Sequence, residues 1–396
     1  PRFPYGSEKV RGVNIGGWLV LEPWITPSLF DNTGYDNIVD EWTFCAFQDR
    51  ATAAATLQSH WDTFYTESDF AAIAAAGLNH VRIPIGYWAF DTSGGEPFIS
   101  GQYPYLLKAV GWARNQGLFV IIDVHGLPGS QNGFDNSGRK GPVNWPNSQS
   151  NIDRSNTIIQ TLAVEFSKAS YANVVSAIQP VNEPAGFVGG NILPVTRQYY
   201  YGSYDKIRNN GGNMVLVLHD AFQDLSFWSG VMPSSRFSNV LMDTHHYQIF
   251  SNADVAKTWP QHYATACQRG DAIASWAQTP GNLWTIVGEW TTTPYDCAKY
   301  INGRGVGSRY DGTYPGSRKL GVCWPFTGSS SRFSDSYKRF MRKYFEAQTS
   351  SFGKAGGWIY WTWKTEATDE WSYEKGLSGG WIPQDPTERL YPNICG

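Results

Sequence analysis

Eight short β-rich runs alternate with helical patterns along this chain, and that alternation limits the fold more than any other feature. The runs are Val10–Trp18, His80–Gly86, Phe119–Gly126, Val174–Pro184, Met214–Asp220, Val240–Tyr247, Leu283–Trp290 and Gly357–Lys364. Several are nearly continuous apolar stretches, as expected for parallel strands covered on both faces. Helical patterns fall at Ala51–Leu57, Glu67–Ala76, Tyr103–Asn115, Asp153–Ser167, Val195–Asn209 and Tyr337–Gln348. Eight βα alternations favour a closed barrel over an open doubly wound sheet. No dinucleotide fingerprint follows the first run, which weakens the open-sheet alternative further. The 396 residues exceed the roughly 250–300 at which one core usually divides. A barrel with loop insertions is the exception to that rule. The expectation is an α/β fold: a single (β/α)8 TIM barrel spanning residues 1–396, with insertions at the C-terminal face of the strands.

Composition removes other classes. The chain carries 18 Trp, 22 Tyr and 21 Phe, only 16% charged residues, and a formal net charge of −3. Disordered chains have fewer rings and more charge. A nucleic-acid partner would call for a basic excess or stripe, which is missing. No apolar run reaches the ~18 residues of a membrane span. The five cysteines, Cys45, Cys267, Cys297, Cys323 and Cys395, form no zinc spacing. They fit two structural disulfides in an oxidising compartment. The start at Pro1 rather than Met fits a removed leader, and no N-x-S/T sequon occurs. A secreted monomer is expected, located outside the cell or in its wall.

Polar side chains cluster toward the C-terminal ends of seven runs: Arg82, His125, Asn182 with Glu183, His219 with Asp220, His245 with Tyr247, Glu289, and Trp361. In a barrel this rim carries the active site. Glu183 closes the fourth run in Q-P-V-N-E-P, and Glu289 closes the seventh in I-V-G-E-W. Strands four and seven face each other across an eight-stranded ring. Two carboxylates there match glycoside hydrolysis, one as proton donor and one as nucleophile. Two rim salt bridges are the alternative. Asn182 is placed to bond a sugar 2-hydroxyl, and Arg82 to keep Glu289 ionised. Strand alternation puts His245 and Tyr247 on one face and His246 on the other, which argues against a two-histidine metal site. No metal or other cofactor is expected. Gly133–Lys140 misses the phosphate-loop pattern, and Gly303–Gly307 follows no strand. Trp18, Trp24, Phe134, Phe250, Trp290, Trp361 and Trp363 are rim aromatics that could stack on sugars. On the eighth run Trp361 and Trp363 share a face, one at the floor of the sugar site and one deeper.

Long segments of the chain resemble the fungal exo-β-1,3-glucanases of glycoside hydrolase family 5. They are V-R-G-V-N-I-G-G-W-L-V-L-E-P-W-I-T-P-S-L-F, H-V-R-I-P-I-G-Y-W-A-F, H-G-L-P-G-S-Q-N-G-F-D-N-S-G, V-N-E-P, M-D-T-H-H-Y-Q-I-F, V-G-E-W, D-C-A-K-Y-I-N-G-R-G-V-G-S-R-Y-D-G-T-Y-P-G-S and W-T-W-K-T-E. The resemblance implies a retaining double displacement that releases glucose from non-reducing ends of β-1,3-glucan, with Glu183 as acid/base and Glu289 as nucleophile. It implies that Glu22, Arg82, His125, Asn182, His245, Tyr247 and Trp361 line the terminal-sugar subsite. Phe134 and Phe250 would clamp the next sugar. It also implies disulfides Cys267–Cys395 and Cys297–Cys323, leaving Cys45 free. Val181 replaces the family's usual Leu before N-E-P. The loops 185–194 and 324–334 vary between relatives and set the pocket's outer shape. The same machinery on another β-glucoside is the competing reading, as a diglycosidase such as a rutinosidase or as a β-1,6-glucanase. A carbohydrate-binding barrel without catalysis is a third.

Overall fold

The computed structural model describes residues 2–396. Eight parallel strands close into a barrel in chain order. They are β1 (Val10–Asn14), β2 (His80–Gly86), β3 (Phe119–Gly126), β4 (Val175–Gln179), β5 (Val215–His219), β6 (Val240–His246), β7 (Trp284–Trp290) and β8 (Gly357–Tyr360). β1 pairs with β2 on one side and β8 on the other, which leaves no free sheet edge. The (β/α)8 architecture read from the alternating runs is the observed one.

The barrel interior is layered, and side-chain alternation along each strand writes the layers. Inward positions on β3 are Ile121, Asp123 and His125, and on β6 they are Leu241, Asp243 and His245. The lowest layer is apolar. Val10, Ile121, Ala177, Val215, Val217, Leu241, Ile286 and Ile359 form one buried cluster, which Phe3 and Tyr5 close from beneath. Tyr5 bonds across the floor to His80 Nε2 at 2.9 Å and Ser176 Oγ at 2.8 Å. Two residues higher the same strands turn polar, and two higher again they present the rim. Each step up a strand of this kind moves one layer toward the mouth.

Several local expectations differ from the structure. β1 stops at Asn14, β4 at Gln179 and β8 at Tyr360, well before the apolar patterns end. Past those points the chain is still buried, but it bends into loops that form the mouth. The β5–β6 crossover carries only a short 3-10 turn, Leu225–Trp228, in place of a long helix. The helix Trp259–Gln278, with 20 residues, had no counterpart among the helical patterns. Its signal was in the sequence: Thr258 and Gln261 form a capping box ahead of it, with Pro260 in the first turn. Cys267 on this helix pairs with Cys395, and Cys297 with Cys323 braces the long loop after β7. Cys45 is the free cysteine among the described residues, and it is buried.

Candidate active site

Arg82 occupies the centre of the middle layer and is fully buried. It lies in mid-strand on β2, below the rim, rather than at the strand end. Its guanidinium makes four hydrogen bonds and a further ion pair. Nε reaches Gln179 Oε1 at 2.7 Å, and Nη1 reaches Asn14 Oδ1 and Glu289 Oε1, both at 2.9 Å. Nη2 reaches Asn182 Oδ1 at 2.7 Å and Asp123 Oδ2 at 3.0 Å. Burial works against its charge, but Asp123, Glu289 and Asp243 more than offset this and hold it fully protonated. Every nitrogen of Arg82 is engaged by a protein group, and the side chain does not line the cavity. It positions Asn182 and Glu289 from below instead of lining the pocket.

Glu289 owes its inward aim to an irregularity. From Ile286, strict alternation would turn Gly288 inward and Glu289 outward. The β6–β7 register shifts between Thr244 and His245, so that His245 pairs with Glu289. The shift brings Gly288 N–H to Asp243 Oδ1 at 2.7 Å. A Cβ on Gly288 would sit 2.3 Å from that oxygen, so only glycine fits. Trp290 consequently faces outward against Phe345 and Trp358.

Glu183 is held in a left-handed conformation with φ of 48°, rare for a residue with a Cβ. Asn182 N–H donates to Val124 O at 3.1 Å. Gln131 Nε2 donates to the carbonyls of Asn182 and His125, both at 2.8 Å. These bonds brace the strained turn from the β3 side. Asn182 offers its free amide N–H₂ beside His125 Nε2, at 3.5 Å.

His245 joins the two carboxylates. Its Nδ1 lies 2.7 Å from Glu183 Oε1 and 3.5 Å from Glu289 Oε2, and its Nε2 lies 3.2 Å from Asp243 Oδ2. Laid end to end, the first two legs span 6.2 Å, so those carboxylate oxygens can be no farther apart. Tyr247 O–H donates to Glu289 Oε2 at 2.9 Å. Burial alone would strip His245 of its proton. Glu289, Asp243 and Glu183 outweigh this and raise it well above the ordinary histidine range. Burial raises Glu183 as well, but the His245 hydrogen bond and charge reverse the direction and hold it low. Glu289 is raised by burial and by the negative Glu183, against the pull of His245 and Arg82. The three groups therefore share protons as a unit. A proton moved from His245 onto Glu183 removes the Glu183 repulsion together with the larger pull of His245, so the ionised form of Glu289 then rests on Arg82.

Above these groups lies a cavity of about 390 Å³. Glu22, Trp24, Phe134, Asp135, Glu183, Phe222, Tyr247, Phe250, Ile301–Gly303, Tyr314, Trp361 and Trp371 are among its lining residues. They come from the loops after every strand except β2. Glu22 accepts from Trp24 Nε1 at 2.8 Å. Burial, then the charges of Asp135, Glu289 and Glu183, raise it well above the usual carboxylate range. This apolar and aromatic wall around a few convergent carboxyl groups is the usual form of a small-ligand site.

A model of the cellulases, glycosyl hydrolase family 5, matches residues 45–304. The chain belongs to glycosyl hydrolase family 5. A probable glucan 1,3-beta-glucosidase A of Aspergillus niger is 45% identical over 99% of this chain and 92% of its own length. A glucan 1,3-beta-glucosidase of Blumeria graminis is 44% identical over 100% of this chain and 91% of its own. Among solved structures, a rutinosidase from Aspergillus niger superposes with a TM-score of 0.72 at 20% identity, over 96% of this chain and 99% of that one. That likeness reaches the fold. The chain is a glycoside hydrolase with a glycan substrate.

Within this family 5 barrel, the structure gathers Glu22, Arg82, His125, Phe134, Asn182, Glu183, His245, Tyr247, Phe250, Glu289 and Trp361 around one centre. Glu22, Phe134, Glu183, Tyr247, Phe250, Glu289 and Trp361 line the cavity. His125, Asn182 and His245 lie just beneath, and His125 stacks on Trp361 at 5.6 Å. Trp18 bonds to Trp61 O and packs with Trp112, away from the pocket. Trp363 stacks on Tyr373 in the outer layer. β8 has already ended at Tyr360, so alternation no longer places Trp361 and Trp363 on one face. His246 packs edge-on against Phe352, on the far side from the pocket. Sequence reasoning missed Asp123 and Asp243. Their signal was a repeated D-x-H, at Asp123–His125 and Asp243–His245, which places an acid one layer below each rim histidine. It also missed Asp135, which lines the cavity and which burial and Asp40 push up to about 6.

Proposed function

We propose that this glycoside hydrolase is a secreted, retaining, exo-acting β-glucosidase that removes glucose from the non-reducing ends of β-1,3-glucan. Residues 1–396 act as one catalytic barrel and as a monomer. The observation that carries the reading is the His245 bridge. It ties one oxygen of each carboxylate within 6.2 Å, which supports the short spacing of retaining sites over the roughly 6.5–9.5 Å between carboxyl groups in inverting ones. The names of the relatives support the linkage. The ring of loops around the cavity supports action at a chain end, because a cleft for internal cleavage stays open on two opposite sides. The two disulfides fit an oxidising compartment.

The geometry performs a double displacement as follows. Glu183 takes the His245 proton along their 2.7 Å hydrogen bond and gives it to the glycosidic oxygen. Glu289, held on one oxygen by Arg82 and on the other by Tyr247, attacks the anomeric carbon as the C–O bond breaks. A glycosyl ester on Glu289 results. Water then enters where the leaving sugar stood, gives a proton to Glu183, and displaces Glu289 from the anomeric carbon. The Asn182 amide donates to the 2-hydroxyl, a bond that strengthens in the transition state.

Two measurements test this. The first sugar released, followed by NMR, is expected as the β-anomer, and an α-anomer would overturn the retaining assignment. Sugar release is expected to be fastest on laminarin, compared with glucose from pustulan and the disaccharide from rutin. Faster release from either of the other two would replace the β-1,3 assignment.

A further inference from the structure

Three exposed phenylalanines from three successive loops meet at one side of the cavity mouth. They are Phe134 after β3, Phe187 after β4 and Phe222 after β5. Their exposure is 36%, 60% and 42%. Phe134 and Phe187 lie nearly parallel, 23° apart in plane with centroids at 6.3 Å. Phe222 stands edge-on to both, at 5.4 Å from Phe187 and 6.3 Å from Phe134. Phe134 and Phe222 line the cavity; Phe187 stands outside it and is the most exposed. Single exposed apolar residues are ordinary, but a contiguous patch that continues a ligand pocket marks a binding surface.

The patch is built rather than accidental. Ala221 and Phe222 both adopt left-handed backbone, with φ of 53° and 58°. For residues with a Cβ this conformation is strained. Three bonds hold the turn: Ala221 N–H to His219 Nδ1 at 3.0 Å, Phe222 N–H to Asp220 Oδ1 at 2.9 Å, and Trp228 Nε1 to Asp220 O at 2.8 Å. The Phe187 loop is seated on this turn. A Cβ on Gly186 would lie 2.4 Å from Ala221 O, so only glycine allows the two loops to approach this closely. The strained turn and the close glycine contact fix two open ring faces beside each other, next to the pocket and in solvent.

Resting on the β-glucan reading above, we infer that Phe187 and Phe222 form an outer subsite for the third sugar of the chain. The first sugar fills the cavity over Glu183 and Glu289. The second meets Phe134 and Phe250 at the entrance. The third leaves the cavity on the Phe134 side and stacks on the platform that Phe187 extends, with Phe222 as its wall. The enzyme then distinguishes longer chains from disaccharides through a surface that never touches the bond being cleaved.

The test is kcat/KM on β-1,3-linked glucose oligomers of two to five sugars. In the wild type it rises between the disaccharide and the tetrasaccharide. In Phe187→Ala the tetrasaccharide-to-disaccharide ratio drops about three- to tenfold, the range of one aromatic contact. Phe187→Trp restores it. An unchanged ratio in Phe187→Ala, or a wild-type profile flat beyond the disaccharide, overturns the outer subsite while leaving the β-1,3 assignment intact. A wild type that cleaves none of these oligomers overturns the β-1,3 assignment instead. Phe187 is mostly exposed, so its truncation leaves the fold in place, which an unchanged melting temperature would verify.

Discussion

The floor and the mouth of the barrel are made by the same eight strands, only a few residues apart, yet they are opposites. The floor is Val10, Ile121, Ala177, Val215, Val217, Leu241, Ile286 and Ile359, with no charge among them. One layer up are Arg82, Asp123 and Asp243, all fully buried. Burying each valine, leucine or isoleucine of the floor contributes about 1.5–3 kcal/mol. Burying each charge opposes folding unless its partners are well placed. The difference shows how one scaffold separates two tasks by height along a strand: the lower layer stabilises, and the upper layers spend part of that stability on fixed charge.

The sharpest attack on this division is Glu289→Gln. It keeps the shape and removes the nucleophile, so activity on an aryl β-glucoside is expected to fall on the order of 10⁴-fold. The melting temperature should hold or rise, since a buried charge is lost. A variant with near-wild-type turnover would remove Glu289 from its role. Ile121→Ala is the complementary change, two residues below Asp123 on the same strand. It should cost about 2–5 kcal/mol in denaturant unfolding, with kcat/KM of the folded protein nearly unchanged. If activity fell more than stability, floor and mouth would not be separable.

Asp243→Asn probes the layer between them. Asp243 raises His245, so its loss should move the alkaline limb of the kcat/KM profile to lower pH and reduce kcat about 10- to 100-fold. A loss of kcat with an unmoved limb would mean that Asp243 only braces the Gly288 turn. The smallest effect lies outside the barrel interior. Burial raises Glu370 to about 8 and Glu41 to about 7. Each holds a proton in the folded state that the unfolded chain has released, so the stability it contributes is full below about pH 4.5 and is lost as pH rises through those values. The buried His60, His80, His246 and His262, lowered by burial to about 4, 3, 3 and 4, are neutral in both states above pH ~7 and do not oppose this. The melting temperature should therefore fall between about pH 7 and 8.5, and Glu370→Gln should remove about 1–2 °C of that fall. An equal slope in both proteins would place the titrating group elsewhere.

Much of the floor could be read from the sequence, and less of the mouth. Parallel strands buried on both faces leave long apolar runs, and those of β2 and β3 gave their ends to the residue. Glu183 and Glu289 stood out because strand-end carboxylates in a barrel have a short list of uses. What could not be read depended on irregularity. A bulge at Gly288 turns Glu289 inward; a glycine inside a strand hints at a bulge, but not at which side chain it re-aims. β8 ends at Tyr360 because its chain turns to build the mouth, although Trp361 and Trp363 continue the apolar pattern. Arg82 looked like a sugar ligand until its donors were counted, and a count requires the partners Asn14 and Gln179, which are unremarkable by type. Asp123 and Asp243 were readable in principle through the repeated D-x-H.

The residues that seal the floor are far apart in the chain. Phe3 and Tyr5 cover a surface that includes Ile286 and Ile359, more than 280 positions later. Arg2 likewise donates to the carbonyls of Phe166, Tyr171 and Val175, more than 160 positions away in the chain. The plug can seat only on strands that are themselves far along the chain. Closure of the floor is then a late event in folding, set by contacts of very long sequence separation, and a change at Phe3 or Tyr5 would act on folding without approaching the mouth.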